Sequence, residues 1–267
     1  MKINKAIVVG VGGTGTHLVE ALGRLLSYHP DGCRNLALID GDSYEEKNSE
    51  RQLFDASYID ENKAAATGSR LDFLSPKVYA EYVNQDRFGA ILSEFAPNLE
   101  DNVLIIASVD NERTRHEILN ALEARPNCIY ISPGNERTTG HSVLWAKTNG
   151  VSRMTHPFER YENIRNPTDQ IPGFSCQEEA VSFPQLIIAN AYAAVTTLNL
   201  VQNILDDKPV SDEIVFCSDR MVVKGRAAKI NLSENIPEPV VVVTEPELEP
   251  VEVSAETEDE GFLFDNY

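Results

Sequence analysis

Lys5-Ala-Ile-Val-Val-Gly10-Val-Gly-Gly-Thr-Gly15 is the stretch that decides the fold of this 267-residue chain. Its first five residues form an apolar, β-branched run, which predicts a buried strand, and residues 14–27 carry apolar side chains at helical spacing. The glycines between them match G-x-G-x-x-G, the pattern by which a strand turns tightly into a helix. Phosphate oxygens bind the free backbone N–H groups at such a helix start. The motif therefore predicts a nucleotide site, without choosing between NAD, FAD and ATP.

Strands and helices continue to alternate along the chain. Apolar runs predict strands at residues 35–40, 77–83, 103–108 and 128–132, the last stopped by Pro133-Gly134, and helical spacing predicts helices at residues 59–74, 87–95 and 112–124. This alternation predicts an α/β fold with a Rossmann-like, doubly wound and mostly parallel sheet.

The alternation stops beyond the fifth strand. A strand at residues 141–147 follows it without a helix between them, so we expect antiparallel strands to be added at the C-terminal end of the sheet. Residues 148–183 are polar and rich in turn residues, which is typical of functional or mobile loops. Pro184 suits the first position of a long apolar helix that ends near Leu205. Residues 213–217 and 221–230 predict a final hairpin.

The acidic charge of the chain is concentrated at its C-terminal end. Residues 234–267 hold eleven acidic side chains and no Lys or Arg, so removing them from the net charge of −19 leaves −8 for the rest. With its four prolines, this composition predicts a disordered acidic tail at residues 233–267, after one α/β domain at residues 1–232. The remaining chain has no strongly basic segment, so nucleic-acid binding is not predicted.

Several classes of protein are excluded by what the sequence lacks. No run of about 18 apolar residues is present, and the apolar run before the glycines is too short for a signal peptide. We therefore expect a cytoplasmic protein without a membrane span. Four widely spaced cysteines form no C-x-x-C pair, so no structural zinc site is predicted. They are Cys33, Cys128, Cys176 and Cys217.

Polar residues beyond the predicted strands narrow the choice of nucleotide. Asp40 closes the second strand, where a carboxylate accepts hydrogen bonds from ribose hydroxyls, and this fits NAD or ATP. Arg51 and Lys63 fit a reaction that joins ATP to a carboxylate, because fixed cations offset the repulsion between the two anions and the charge on the leaving pyrophosphate. Asp110 follows a buried strand and fits a ligand of Mg²⁺.

Each of these residues also has an explanation that involves no ligand. Arg51 fits an ion pair, Lys63 fits a solvated helix face, and Asp110 fits a helix N-cap, a role compatible with metal binding. Asp42 is better explained as a turn residue that supports the loop after the second strand.

Together with a few further polar residues before position 116, these residues resemble the pattern of the ThiF/MoeB family, the ubiquitin-activating type of adenylating enzyme. The family pattern runs G-x-G-G-x-G, D-x-D, S-N-x-x-R-Q, a helix lysine, and D-N with an arginine five residues beyond the aspartate. The spacings agree over about residues 5–205, with the weakest similarity at residues 148–175. The matching positions are Gly10, Gly12, Gly13, Gly15, Asp40, Asp42, Asn48, Arg51, Gln52, Lys63, Asp110, Asn111 and Arg115.

The resemblance implies a homodimeric enzyme that binds ATP and Mg²⁺ and adenylates the C-terminal carboxylate of a β-grasp protein, either ubiquitin-like or a sulfur carrier. By the same resemblance, Asp40 contacts ribose, Arg51 and Lys63 contact phosphates, and Asp110 serves the metal. Three features depart from the family: the two C-x-x-C zinc pairs are absent, Lys47 stands in place of a serine, and the acidic tail is extra.

Cys176 lies eight residues before Pro184, where several relatives carry a cysteine that in some forms a thioester or persulfide with the activated protein. An exposed loop thiol near positive charge can be activated in this way. Glu178 and Glu179 favour the opposite reading, an ordinary loop cysteine, because adjacent carboxylates raise a thiol pKa. Both readings remain open.

The prediction is thus an ATP-dependent adenylyltransferase. Three alternatives remain: a related enzyme that acts on a small molecule, a peptide or tRNA; a scaffold that binds nucleotide without turnover; and, more remotely, a nicotinamide dehydrogenase. The lack of basic surface counts against tRNA.

Overall fold

The computed structural model describes residues 1–170, 186–226 and 230–233. Within these residues nine strands form one sheet and seven helices surround it. The strands are β1 (Lys5–Val9), β2 (Leu36–Ile39), β3 (Lys77–Tyr79), β4 (Val103–Ala107), β5 (Cys128–Asn135), β6 (Thr139–Thr148), β7 (Val151–Ser152), β8 (Glu213–Cys217) and β9 (Val222–Arg226). The helices are α1 (Gly13–Tyr28), α2 (Lys63–Ser69), α3 (Gln85–Phe95), α4 (Glu112–Leu122), α5 (Pro157–Arg160), α6 (Glu162–Arg165) and α7 (Ile187–Leu205).

The sheet has a parallel half and an antiparallel half. Its order is β3-β2-β1-β4-β5-β6-β8-β9, with β7 paired to β6. Neighbouring strands from β3 to β5 pair in parallel, and β6, β8 and β9 add in antiparallel fashion beyond β5. The order reverses between β1 and β4, which is where doubly wound sheets bind their ligands. The predicted α/β class, with a mostly parallel sheet and added antiparallel strands, is confirmed.

The core is centred on the parallel strands. Every residue of β4 is fully buried, and β1 is buried from Ala6 onward, because helices cover the sheet. Helix α7 packs against α1 and against β5 and β6, while α3 packs against α4. Within the described residues, no helix has the length and apolar character needed to cross a bilayer.

Strand β5 is longer than the sequence predicts. It continues through Pro133 to Asn135, whereas the prediction ended it at Ser132. The last pair between β4 and β5 is Ile106 with Ile131, so Pro133 borders only β6, where it faces Ser142. A proline lacks the N–H of a ladder bond and is tolerated where one neighbour is absent. The extension brings the end of β5 into the functional site.

Two other segments differ from the prediction: the helix at residues 59–74 is shorter, and the polar stretch from residue 148 contains regular structure. The predicted helix at residues 59–74 is only α2, because Asn62 caps its start by accepting the N–H of Ala65 at 3.0 Å. A separate 3₁₀ turn lies at Ala56–Tyr58. The polar stretch from residue 148 contains β7, α5 and α6. Cys176, Pro184 and the tail from residue 234 lie outside the described residues.

Candidate functional site

A large cavity opens where the parallel strands end. Its volume is about 760 Å³, within the range of about 300–1,000 Å³ that is usual for ligand pockets. Most of the residues matched to the family motifs line this cavity. They are Gly10, Gly12, Gly13, Asp40, Asp42, Asn48, Arg51, Gln52, Lys63, Asp110, Asn111 and Arg115. Gly15 is not among the lining residues, and Cys176 lies outside the residues that the structure describes.

The glycines of the loop are needed for close backbone contacts. Gly10 has φ +88°, and a β-carbon there would lie 2.6 Å from the carbonyl oxygen of Ser108. A β-carbon on Gly15 would lie 2.4 Å from the carbonyl oxygen of Gly10. Real β-carbons essentially never come this close to backbone atoms, so Gly15 serves packing between the loop and α1. Gly13 in turn lies against the side chain of Asn190.

The first turn of α1 faces the cavity with unpaired donors. Its N-cap is Gly12, which provides no side-chain cap, so the first N–H groups of this 16-residue helix are available to an anion. Thr14 Oγ1 donates to Asn135 Oδ1 at 3.2 Å. Asn190 Nδ2 donates to the carbonyl oxygen of Arg51 at 3.3 Å. Asn190 is fully buried. It was missed in the sequence, although an amide among the apolar residues at the start of the predicted helix was a detectable signal.

Asp40 fixes the loop and is itself fixed by it. Its Oδ2 accepts the N–H of Val11 at 2.6 Å, and its Oδ1 accepts the N–H of Asp42 at 2.9 Å. Burial raises the pKa of Asp40 to about 6, although the charge of Lys63 and both N–H donors oppose the rise. The carboxylate therefore titrates just below neutral pH.

We expect nucleotide binding to weaken as pH falls through 6. If ribose hydroxyls donate to the ionised Asp40, protonation removes an acceptor, and a carboxyl with a pKa of about 6 is about nine-tenths protonated at pH 5. The Kd for ATP, measured by calorimetry, should then rise about tenfold between pH 7 and pH 5. The terminal phosphate of ATP also titrates in this pH range. Asp40→Asn is therefore the control, because its side chain does not titrate and its pH dependence reports ATP alone. An equally steep pH dependence in that variant would contradict this role.

Asp42, Lys63 and Tyr82 form one connected group. Lys63 Nζ lies 3.0 Å from Asp42 Oδ2, and the Tyr82 hydroxyl donates to Asp42 Oδ1. Burial alone would raise the pKa of Asp42, but the bond from Tyr82 and the charge of Lys63 outweigh it and hold this pKa below its usual value. The alternative placing of Lys63 on a solvated face is wrong, because the residue is only 7% exposed. Tyr82 was not detected in the sequence.

A 3₁₀ turn at Glu46–Glu50 contains Asn48, and Arg51 and Gln52 follow directly after it. Asn48 Oδ1 accepts the N–H of Glu45 at 3.0 Å, and its carbonyl oxygen accepts the N–H groups of Arg51 and Gln52. Asn48 therefore shapes the turn that delivers Arg51 to the cavity. Within the described residues the Arg51 guanidinium has no hydrogen bond or ion pair. The alternative that placed Arg51 in an ion pair is not seen there.

Asp110 is exposed at the end of β4 and does not cap α4. Asn111 is the cap: its Oδ1 accepts the N–H of Thr114 at 2.8 Å, so the N-cap interpretation of Asp110 is wrong. The carboxylate of Asp169 accepts the N–H groups of Glu112 and Arg113 at 2.5 and 3.0 Å. The start of α4 is thus already occupied by carboxylate and amide oxygens, while the Asp110 carboxylate bonds to none of the described residues.

Arg115 lines the cavity but uses its donors within the protein. The side chain is 90% buried; Nε donates to Ser132 Oγ at 3.1 Å and Nη1 to Glu112 Oε1 at 2.8 Å. Its Nη2 donates to the carbonyl oxygens of Val109 at 2.6 Å and Pro133 at 3.4 Å. Arg115 therefore ties the end of β4 to the end of β5.

The cavity extends beyond the predicted residues over the antiparallel half of the sheet. This second lobe is formed by the end of β5, the start of β6, and strands β8 and β9. Its main polar side chains are Glu136, His141, Asn163, Glu213 and Arg226. No role for His141 was predicted from the sequence, because its partner Glu213 lies 72 positions away along the chain. The described residues contain no group of three or more His, Cys, Asp or Glu side chains arranged to hold a metal ion by themselves.

Comparisons by structure give similar folds. Against the crystal structure of PaaA, the TM-score is 0.57 with 16% identity, over 85% of this chain and 64% of that one. Against E. coli MccB with AMPCPP and MccA, it is 0.57 with 19% identity, over 83% and 63%. Against E. coli MccB with ATP, it is 0.56 with 19% identity, over 86% and 65%. This chain thus spans less than two thirds of the length of these proteins, and identities this low show the fold alone.

A comparison with curated proteins gives no match. The model of the ThiF family matches residues 2–231, which is most of the chain and includes every strand and helix described above. The chain therefore belongs to the ThiF family.

Proposed function

We propose that this chain adenylates a carboxylate with ATP and releases pyrophosphate. The observation that carries the proposal is the content of one cavity. It contains an uncapped helix start, the two cations Arg51 and Lys63, and the Asp110 carboxylate, which bonds to none of the described residues. A dehydrogenase has no evident use for this set of charges. The structures of MccB with ATP and with AMPCPP support a triphosphate as the ligand of this fold.

The proposed position of the nucleotide follows from the groups in the cavity that are available to bind it. The phosphates would bind at the start of α1, where N–H groups and the helix dipole favour an anion. The ribose would bind at Asp40, and Lys63 and Arg51, which line the same cavity, would contact the phosphates. Asp42 and Tyr82 hold Lys63 in the cavity, and Arg115 holds Val109 and therefore the neighbouring Asp110.

Asp110 suits Mg²⁺. This ion usually takes one or two carboxylates, several waters and phosphate oxygens, so a preformed cluster of acids is not required. One carboxylate beside a triphosphate meets that need. When bound, the ion would offset phosphate charge, and the remaining chemistry depends on the residues of the chain.

The reaction is an in-line displacement. A carboxylate oxygen of the substrate attacks the α-phosphorus, the bond to the bridging oxygen breaks, and pyrophosphate leaves with the electron pair. Arg51 and Lys63 reduce the repulsion between the two anions and stabilise the charge that develops on the leaving group. The displacement removes no proton from the substrate, because the attacking carboxylate is already ionised.

The proposed substrate is the C-terminal carboxylate of a small β-grasp protein, ubiquitin-like or a sulfur carrier. The complexes of MccB with MccA keep a peptide, small-molecule or tRNA substrate as the alternative. Exposed apolar side chains on α7, at Ile187, Ile188 and Val195, support the proposed homodimer. Transfer of the activated group to Cys176 and the division of the chain into residues 1–232 and 233–267 stay predictions.

Pyrophosphate exchange tests the proposal directly. Labelled pyrophosphate should enter ATP only when the protein is incubated with Mg²⁺ and a suitable carboxylate partner from a panel of β-grasp proteins and peptides. Arg51→Ala should greatly reduce the exchange, and a calorimetric comparison of ATP·Mg²⁺ with NAD should favour ATP. Binding of ATP without exchange by any partner would favour the non-catalytic scaffold.

A further inference from the structure

The second lobe of the cavity contains a histidine beside a buried carboxylate. His141 lies near the start of β6 and is 41% exposed, while Glu213 at the start of β8 is only 7% exposed. Glu213 Oε1 lies 3.7 Å from His141 Nδ1, and its other oxygen lies 3.5 Å from Arg226 Nη1. A carboxylate on the Nδ1 side favours the proton on that nitrogen and leaves Nε2 as the acceptor.

The end of β5 connects this histidine to the phosphate-binding turn. Gly134 faces His141 across the β5–β6 ladder, and a β-carbon at 134 would lie 2.9 Å from His141 Nε2, so the glycine makes room for the imidazole. The next residue, Asn135, accepts a hydrogen bond from Thr14 in the first turn of α1. Successive Cα atoms are about 3.8 Å apart, so the imidazole and the first turn of α1 contact neighbouring residues of one strand.

The charges around His141 keep it neutral. Burial lowers the pKa of His141, and the charge of Arg115 from α4 lowers it further, with Arg226 from β9 acting in the same direction. Glu213 and Glu112 oppose them without reversing the shift. The Tyr161 ring, before α6, lies 5.9 Å from the imidazole ring and adds no charge at neutral pH. An imidazole that is neutral at pH 7 is able to accept a proton.

Adenylation itself gives this base nothing to do, because a carboxylate reaches the site already ionised. A neutral imidazole in the same cavity becomes useful only when a nucleophile that carries a proton follows. We propose that His141 accepts this proton in a second step, in which an amine bound in the second lobe attacks the acyl adenylate. The inference rests on the proposed function and extends it from activation to amide formation.

The carboxylates of the second lobe favour an amine over a thiol. Glu136 is exposed there without an ion pair to the described residues, and Glu213 lies deeper. Negative charge attracts an ammonium group and disfavours a thiolate. The bound ammonium first loses one proton to solvent. The free amine nitrogen then forms a bond to the acyl carbon, and the bond from that carbon to the adenylate oxygen breaks. AMP leaves with the electron pair, and the surplus proton on nitrogen passes to His141 Nε2.

The experiment separates the two half-reactions in the full-length protein. Pyrophosphate exchange measures activation with any carboxylate partner that supports it, and AMP release after addition of methylamine measures transfer. His141→Gln should keep exchange within about twofold and lower the methylamine-dependent release by about 100-fold or more, the usual contribution of a general base. His29→Gln, at the distant contact with Asp206, should change neither rate.

A pH profile distinguishes a base from a structural residue. In the wild type, at a constant concentration of unprotonated methylamine, methylamine-dependent release should rise with a midpoint set by His141. Glu213→Gln should move that midpoint to lower pH because a negative neighbour is lost. NMR titration of labelled histidine should show the same shift without turnover.

Each other outcome counts against the inference. Equal amine-dependent release in His141→Gln, or release that needs 2-mercaptoethanol in place of methylamine, would overturn it while the adenylation proposal stands. AMP release without either nucleophile would reveal hydrolysis and also overturn it. Absence of exchange with every partner in the wild type would overturn the proposed function and this inference together.

Discussion

Gly15→Ala will lose ATP binding and melt at a lower temperature than the wild type. A β-carbon at this position would lie 2.4 Å from the carbonyl oxygen of Gly10, and the neighbour is backbone that cannot rotate away. The turn of the loop must move, and with it the N–H groups that would hold phosphate. Overpacking of this kind costs about 1–3 kcal/mol, which lowers the melting temperature of a chain this size by several degrees. Calorimetry measures both effects.

Gly89→Ala is the matched control for this change. Gly89 lies inside α3, and a β-carbon there would meet no atom within 4 Å. Alanine in place of glycine inside a helix stabilises by about 0.5–1 kcal/mol, so this variant should melt slightly higher and bind ATP normally. If both variants behaved alike, the close contact between Gly15 and Gly10 would not be present in solution.

The features that sequence predicts best here are local ones. The glycine loop, the strand before it and the helix after it follow from about 25 consecutive residues, and the structure reproduces all three. The antiparallel strand β6 was also predictable, because no helix separates it from β5. By contrast, the length of β5 depends on where β4 ends as well as on pairing with β6, and the end of β4 at Ala107 is not encoded near Pro133.

The roles of individual side chains in the site depend on contacts that are distant in sequence. Arg115 is matched to the family by its spacing from Asp110, yet its bonds to Val109 and Pro133 join the ends of two strands. Tyr82 holds Asp42 across 40 residues, and Glu213 lies beside His141 across 72 positions of the chain. Spacing along the chain therefore identified which residues gather in the cavity, but not which of them bind ligand and which position others.

Lys63→Met will weaken ATP binding and slow adenylation without unfolding the chain. The lysine is a buried cation of the cavity, and a hydrogen bond to a charged group is worth about 1.5–3 kcal/mol. We therefore expect the Kd for ATP·Mg²⁺ to rise by about 10- to 100-fold. Pyrophosphate exchange should fall further, by about 100- to 1,000-fold, because the same charge also stabilises the leaving group. Calorimetry and the exchange rate measure the two losses separately.

The electrostatic origin of the loss can be tested through Asp40. The charge of Lys63 lowers the pKa of Asp40 against the effect of burial, so removing it should move the pH at which ATP binding weakens above the wild-type value of about 6. Lys77→Met removes an exposed lysine that pairs with Glu94 outside the cavity, and it should change neither the affinity nor the midpoint. A Lys63→Met variant with weak binding but an unchanged midpoint would show that the lysine acts by packing, and its assignment as the phosphate cation would then fail.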